Sequence, residues 1–189
     1  MKGIVRFALL CCALVLAACQ GGSAATPVPA GGSGAKPATI ALTSSAFKDG
    51  EAIPRQYSCD GANVSVPLAW GDVPTSAQSL ALIMDDPDAP SGMFVHWVLY
   101  NLPAQTRSLP EGTPADATLS NGGRNGVNGA RRSGYTGPCP PSGTHHYHFK
   151  LYALDTTLTL NPGATKEQLL TAMNGHVLGQ GELVGTYQR

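Results

Sequence analysis

One stretch, Ser79 to Pro103, SLALIMDDPDAPSGMFVHWVLYNLP, constrains the fold of this chain more than any other. Leu80 to Met84 is a continuous apolar run, which suits a strand covered on both faces and therefore central in a sheet. Phe94 to Leu102 is a second strand. Period-two geometry places Phe94, His96, Val98 and Tyr100 on one of its faces and Val95, Trp97, Leu99 and Asn101 on the other. Between the strands, Asp85, Asp86 and Asp88 crowd a turn whose backbone Pro87 and Pro90 restrain. Crowded carboxylates repel unless they accept backbone donors, pair with a cation or share a proton. The segment is therefore either a plain acidic turn or, with the nearby His96, part of a convergent site.

The chain around it reads as short elements and turns. Ala38 to Leu42 and Phe47 are strand-like and lead to the turn Lys48-Asp49-Gly50. Ile53 to Cys59 is a candidate irregular strand ending at Asp60-Gly61. Asn63 to Trp70 follows, with Pro67 restricting it to an edge or a strand entry. From Pro103 to Tyr135 periodicity is lost, and NGGRNGVNGARRSG carries three arginines, read as solvated loop charges of which one could reach an anionic ligand. After the rigid loop Gly137 to Gly143, Thr144 to Asp155 is a strand. It has His145, Tyr147, Phe149, Leu151 and Ala153 on a core face and His146, His148, Lys150 and Tyr152 opposite. Thr165 with Gln168 forms a capping-box signature for a helix carrying Leu169, Leu170 and Met173, closed by Asn174-Gly175. His176 to Gln180 fits either a short helix or a strand, and Glu182 to Tyr187 returns to the sheet. The pattern is mainly β with one or two late helices.

The N-terminus is a targeting segment. Lys2 and Arg6 precede an apolar run, and Leu16-Ala17-Ala18-Cys19 resembles a bacterial lipobox, so residues 1–18 are expected to be a signal peptide and Cys19 the lipidated N-terminus. Residues 19–38 are a Gly, Ser, Ala and Pro tether too poor in large apolar groups to bury a core, averaging roughly 25 Å end to end as a coil. The folded domain is expected over 39–189. With Gln20 after the cysteine, the expected location is the cell envelope, at the outer membrane facing the periplasm in a Gram-negative host. Only Cys59 and Cys139 remain in the domain. In an exported protein they are either a disulfide or two separate buried thiols.

A formal net charge of +0 argues against nucleic acid and anionic membrane surfaces as partners, so a charged ligand must be held locally. There is no phosphate-loop spacing. Two further chemistries have residues to offer. Ser91 or Ser142 could act as nucleophile with His96 or His145 as base and Asp86 as orienter, although no GxSxG elbow is present. His146 and His148, at i and i+2 on one strand face, could chelate a metal, but without cysteine or acid spacing no metal site and no cofactor is expected.

Three separated motifs carry a family resemblance: DPDAPS at Asp86 to Ser91, HWVLYNLP at His96 to Pro103 and GPCPPSGTHHYHFKLYALD at Gly137 to Asp155. With LTSSAFKDG, CDGANVS and ELVGTYQR, they make the chain resemble the phosphatidylethanolamine-binding protein family, in its bacterial, Raf kinase inhibitor-like branch. The resemblance runs from Ile40 to Arg189. It implies an antiparallel β-sandwich of two sheets with a small pocket for phosphate, phosphoethanolamine or acetate. By motif, the ligand-binding set would be Asp86, Asp88, Pro90, Phe94, His96, Pro140, Pro141, His145 and Tyr147, with Ala89-Pro90 a cis candidate. Together with the lipid anchor expected at Cys19, it leads to the expectation of a membrane-anchored binding module that could act on a partner protein and is not an enzyme, with a Ser/His hydrolase using the same pocket as the alternative. Three residues depart from the usual pattern: His146 stands in place of arginine, Val66 in place of proline and Thr136 in place of glycine. The C-terminal helix of eukaryotic relatives has no match.

Overall fold

The computed structural model describes residues 36–189. The signal segment, Cys19 and most of the tether lie outside them. A six-stranded sheet carries β1 (Ala38–Thr39), β9 (Val177–Gln188), β8 (Thr144–Leu154), β4 (Ser79–Asp86), β5 (Phe94–Pro103) and β7 (Arg124–Asn125) in that spatial order. A three-stranded sheet carries β2 (Leu42–Thr43), β3 (Leu68–Trp70) and β6 (Ser108–Leu109). These strands pair antiparallel except β1 with β9, and the isolated bridge of Ala52 with Thr186 is also parallel. The chain leaves the large sheet at Ile40, whose N–H donates to Gln180, and enters the small one at Ala41, whose carbonyl accepts from Gly71.

The continuous apolar run behaves as its composition demands, since every residue of β4 is buried. Leu80, Leu82 and Met84 enter the core between the sheets with Trp97, Leu99, Tyr147, Phe149 and Leu151. Ala81 and Ile83 face the other way, into a second cluster with Val98, Tyr100, Leu169 and Met173 under α1 (Lys166–Met173), the one α-helix among the described residues. Thr165 caps α1, its hydroxyl accepting from Gln168 N–H while the Gln168 side chain accepts from Thr165 N–H, so the capping box forms. Leu170 is exposed and Leu169 and Met173 are buried, as i, i+4 spacing on one helix face requires.

Several sequence expectations are corrected. Ile53 to Cys59 is not a strand but a 3-10 turn at Arg55–Tyr57, because Pro54 removes a donor and the carbonyl of Pro54 accepts from Tyr57 instead. Ala38 to Leu42 is split between the two sheets. Asn63 to Trp70 is extended only from Leu68. His176 to Gln180 belongs mostly to β9. Simple alternation along Phe94 to Leu102 also fails, because β5 contains two register shifts. Val95 joins Val98 and Tyr100 on the helix-covered face while Phe94 and His96 turn to the cleft, and Trp97 and Leu99 stay together, as expected, on the inter-sheet face.

The aperiodic segment after Pro103 has only the short ladders of β6 and β7 and is ordered largely by side chains. Asn125, fully buried, accepts from Trp97 Nε1 at 3.0 Å and donates to the carbonyls of Pro114 and Asp116 at 3.0 and 2.8 Å. One amide thus pins three parts of the chain.

Candidate functional site

The two strands that flank the acidic turn converge with the proline loop on a cleft of about 220 Å³. Its position follows from a bulge. Met84 pairs with Trp97 and Asp85 with Val95, so His96 is the extra residue of β5. A bulge re-aims a side chain and increases local twist. Here it puts Phe94 and His96 in the cleft wall, while Val95 packs toward the helix side.

Asp86 and His145 form the buried centre. The Nδ1–H of His145 donates to Asp86 Oδ2 at 2.8 Å, and Asp86 Oδ1 accepts from the Asp88 N–H at 2.8 Å. His96 is held by Thr136, whose carbonyl accepts from its Nδ1–H at 2.8 Å and whose N–H donates to the His96 carbonyl. Carbonyl and carboxylate oxygens are acceptors only, so each ring carries its proton on Nδ1 and leaves Nε2 as the working atom. Neither Nε2 has a hydrogen-bond partner among the described residues. Burial pushes the His96 pKa below the usual imidazole value, partly offset by the Thr136 carbonyl and the Asp86 and Asp85 charges. The His96 ring sits edge-on between Phe94 and Tyr147, with centroids at 4.8 and 5.1 Å.

Seven of the nine expected residues line the cleft: Asp86, Pro90, Phe94, His96, Pro140, Pro141 and His145. Asp88 and Tyr147 stand behind the wall. Asp88 Oδ2 accepts from the His146 N–H and Nδ1–H at 2.9 and 2.7 Å, which ties the acidic turn to β8 and holds the Asp88 carboxyl below its usual range. His146, in the position where arginine is usual, therefore contributes a turn anchor. The Tyr147 hydroxyl is buried without a partner among the described residues, and burial together with the Asp86 charge pushes its pKa up, keeping it protonated. The lining also includes Ala89, Ser91, Thr136, Gly137 and Cys139. Several of these act through backbone or surface shape, which carries no residue-type signal.

The proline loop is braced from outside. Cys59 and Cys139 are joined by a disulfide, the Cys59 N–H donates to Pro138, and the Gly137 N–H donates to Asn63 Oδ1. Gly137 has no room for a side chain, because a Cβ there would lie 2.2 Å from the Tyr57 carbonyl oxygen.

The three aspartates of the turn separate. Asp85, buried on the opposite face, is paired with Lys150 at 3.1 Å and Lys166 at 2.5 Å. The two rival chemistries find less support. Ser91 lines the cleft and Ser142 does not, and among the described residues neither hydroxyl is hydrogen-bonded to His96 or His145. His146 and His148 are engaged by Asp88 and Glu182, and among the described residues no group of three or more metal-ligating side chains is placed to hold an ion.

Comparison with known proteins finds the same motifs elsewhere. The sequence profile of the phosphatidylethanolamine-binding protein family matches residues 43–188. A protein of Methanothermobacter thermautotrophicus named UPF0098 protein is 53% identical over 148 residues, which cover 78% of this chain and 98% of that one. LppC of Mycobacterium tuberculosis, which carries a provisional lipoprotein name, is 47% identical over 168 residues, covering 87% of this chain and 77% of its own. A crystal structure of a phosphatidylethanolamine-binding protein homologue from Chlamydia trachomatis superposes with a TM-score of 0.74 at 45% identity, covering 80% of this chain and 98% of its own. YbcL of E. coli, described as a new member of the mammalian family, gives 0.74 at 30% identity, with 79% and 98% covered.

Proposed function

This chain belongs to the phosphatidylethanolamine-binding protein family, and from that membership we propose that its cleft binds a small phosphate-type anion, free or as a phosphomonoester such as phosphoethanolamine. The observation that carries the reading is the pair of imidazoles, each fixed through Nδ1 and each presenting an uncommitted Nε2 at the same cleft. Protonated, the rings become two charge-assisted donors. The Asp86 charge is already committed to His145 and to the Asp88 amide.

No lysine or arginine is among the residues lining the cleft. Two charge-assisted hydrogen bonds contribute about 3–6 kcal/mol together, which corresponds to affinities from the millimolar range to somewhat tighter. Because His96 is held neutral by burial, anion binding takes up a proton, and affinity rises as pH falls. The similarity to LppC and the lipobox at Cys19 support display of this module on the bacterial envelope through a lipid anchor, where an anionic group of a partner protein could occupy the same cleft.

Calorimetric titration of the purified protein with inorganic phosphate and phosphoethanolamine at pH 5.5 and 7.5 tests this. Binding is expected to be at least tenfold stronger at the lower pH and to disappear in His145→Ala and His96→Ala. Absence of binding heat and of any thermal shift in the unaltered protein at both pH values would overturn it.

A further inference from the structure

We propose that the turn Asn128–Arg132 is the distal half of the anion site and selects phosphate-type ligands bearing a second negative group, in preference to those ending in an amine. The inference rests on the cleft reading above and adds to it the identity of the group beyond the phosphate.

Four observations converge on this turn. It is built around a buried side chain. Asn128 Oδ1 accepts from the N–H groups of Ala130 and Arg132 at 3.0 and 3.1 Å, and its Nδ2 donates to the Gly134 carbonyl at 2.9 Å. The loop is thus fixed by a polar side chain that makes three hydrogen bonds inside one turn.

At its tip, Arg131 has φ +59°, in the left-handed region. The N–H of Arg131 donates to the Asn128 carbonyl and the N–H of Asn128 to the Arg132 carbonyl, which makes this a tight hairpin turn with Arg131 at the position that favours glycine. A charged residue kept in a strained conformation points to function when its side chain has no structural duty.

Neither Arg131 nor Arg132 has an ion-pair or side-chain hydrogen-bond partner among the described residues, a state they share with Arg55, which is not among the residues lining the cleft, whereas Arg107, Arg124 and Arg189 are committed to carbonyls or to Asp60. Both tip arginines are exposed.

The turn abuts the cleft. The Gly129 N–H donates to the Val95 carbonyl at 2.7 Å, and a Cβ on Gly129 would lie 2.8 Å from the Phe94 ring, which is itself cleft wall. Two residues span at most roughly 7 Å, so Arg131 starts within an arginine's length of the mouth. The cleft supplies imidazoles and no fixed cation, and the adjacent turn supplies two guanidinium groups of the kind that clamp carboxylates and phosphates.

The test is a titration series at low ionic strength and pH 5.5 with ligands of similar length and different ends: phosphoethanolamine (amine), glycerol 3-phosphate (hydroxyl) and 3-phosphoglycerate (carboxylate), with inorganic phosphate as reference. The expected order is 3-phosphoglycerate tightest, by at least tenfold over phosphoethanolamine. In the double variant Arg131→Gly with Arg132→Gln, the ratio should fall below about twofold while inorganic phosphate binds as before. Equal affinities in the unaltered protein, or an undiminished ratio in the variant, would overturn this inference and leave the cleft reading intact. No binding of any phosphate compound would overturn both.

Discussion

Asp85 and Asp86 are neighbours in one strand, both buried, and they have opposite surroundings. Asp85 faces the helix side of the large sheet and is held by two lysines. Asp86 faces the cleft and is held by His145 and a backbone amide. The strand alternation that separates them by one residue thus separates two kinds of electrostatics. The Asp85 cluster ties β4, β8 and α1 together. The Asp86 pair lines the cleft beside His96, whose pKa burial lowers. Equal burial therefore does not imply equal role. The face of β4 that each carboxylate occupies decides which one braces the scaffold and which one lines the cleft.

The strongest way to break the comparison is Asp85→Asn, which leaves two partly buried ammonium groups without their counter-charge. About 3 kcal/mol of stability should be lost, read from the shift in denaturant midpoint at pH 7, with phosphate affinity falling less than in Asp86→Asn, because the Asp85 charge favours protonated His96 less than the Asp86 charge does. A matching loss of phosphate binding would show that the two faces are coupled. Asp86→Asn should do the converse. It weakens one hydrogen-bonded pair, costing about 1–2 kcal/mol, but it removes the carboxylate that fixes the His145 ring and the charge that favours protonation of His96, and phosphate affinity should fall more than tenfold by calorimetry. Thr165→Ala removes the cap of α1 on the Asp85 side and should cost about 1 kcal/mol, with a lower thermal midpoint and no change in ligand affinity.

The smallest effect sharpens the cleft side alone. The folded-state pKa of His96 is depressed below 6.5, chiefly by burial. The unfolded chain therefore takes up a proton first as pH falls. Stability from this group is present above pH 6.5 and is lost as pH descends through the folded pKa. A phosphate-free pH series of thermal midpoints should decline below pH 6.5, and less so in His96→Gln. Added phosphate should reverse part of the decline, because the bound anion favours the protonated ring.

Much of the fold is legible in residue pattern. The apolar run Leu80 to Met84 carries its own instruction to be covered twice, and the alternation from His145 to Ala153 and the Thr165-Gln168 box are local rules that survive into the structure. Where local rules failed, a tertiary demand had displaced them. The bulge at His96 changes the phase of β5, so period-two counting wrongly groups Val98 and Tyr100 with Phe94 and His96, and Val95 with Trp97. The segment after Pro103 has no period to read, because the Asn125 and Asn128 side chains pin it through hydrogen bonds to carbonyls six to eleven residues away. In the cleft, the imidazoles and prolines are visible in the motifs. Thr136 is visible only as an unusual residue, since its contribution is a backbone carbonyl and any residue type supplies one.

The sequence by itself determined the mainly β class, the family, the central strand, the capped helix and seven of the residues that meet at the cleft. Each of these depends on side-chain chemistry or on spacing along the chain. Only the tertiary structure decided which of the three aspartates of the turn lines the cleft, which nitrogen of each cleft histidine is free, and that an arginine turn thirty-odd residues from His96 closes on Phe94. Those outcomes depend on register, on a one-residue bulge and on backbone acceptors, which are set by the packing of the whole domain and leave no mark on residue type.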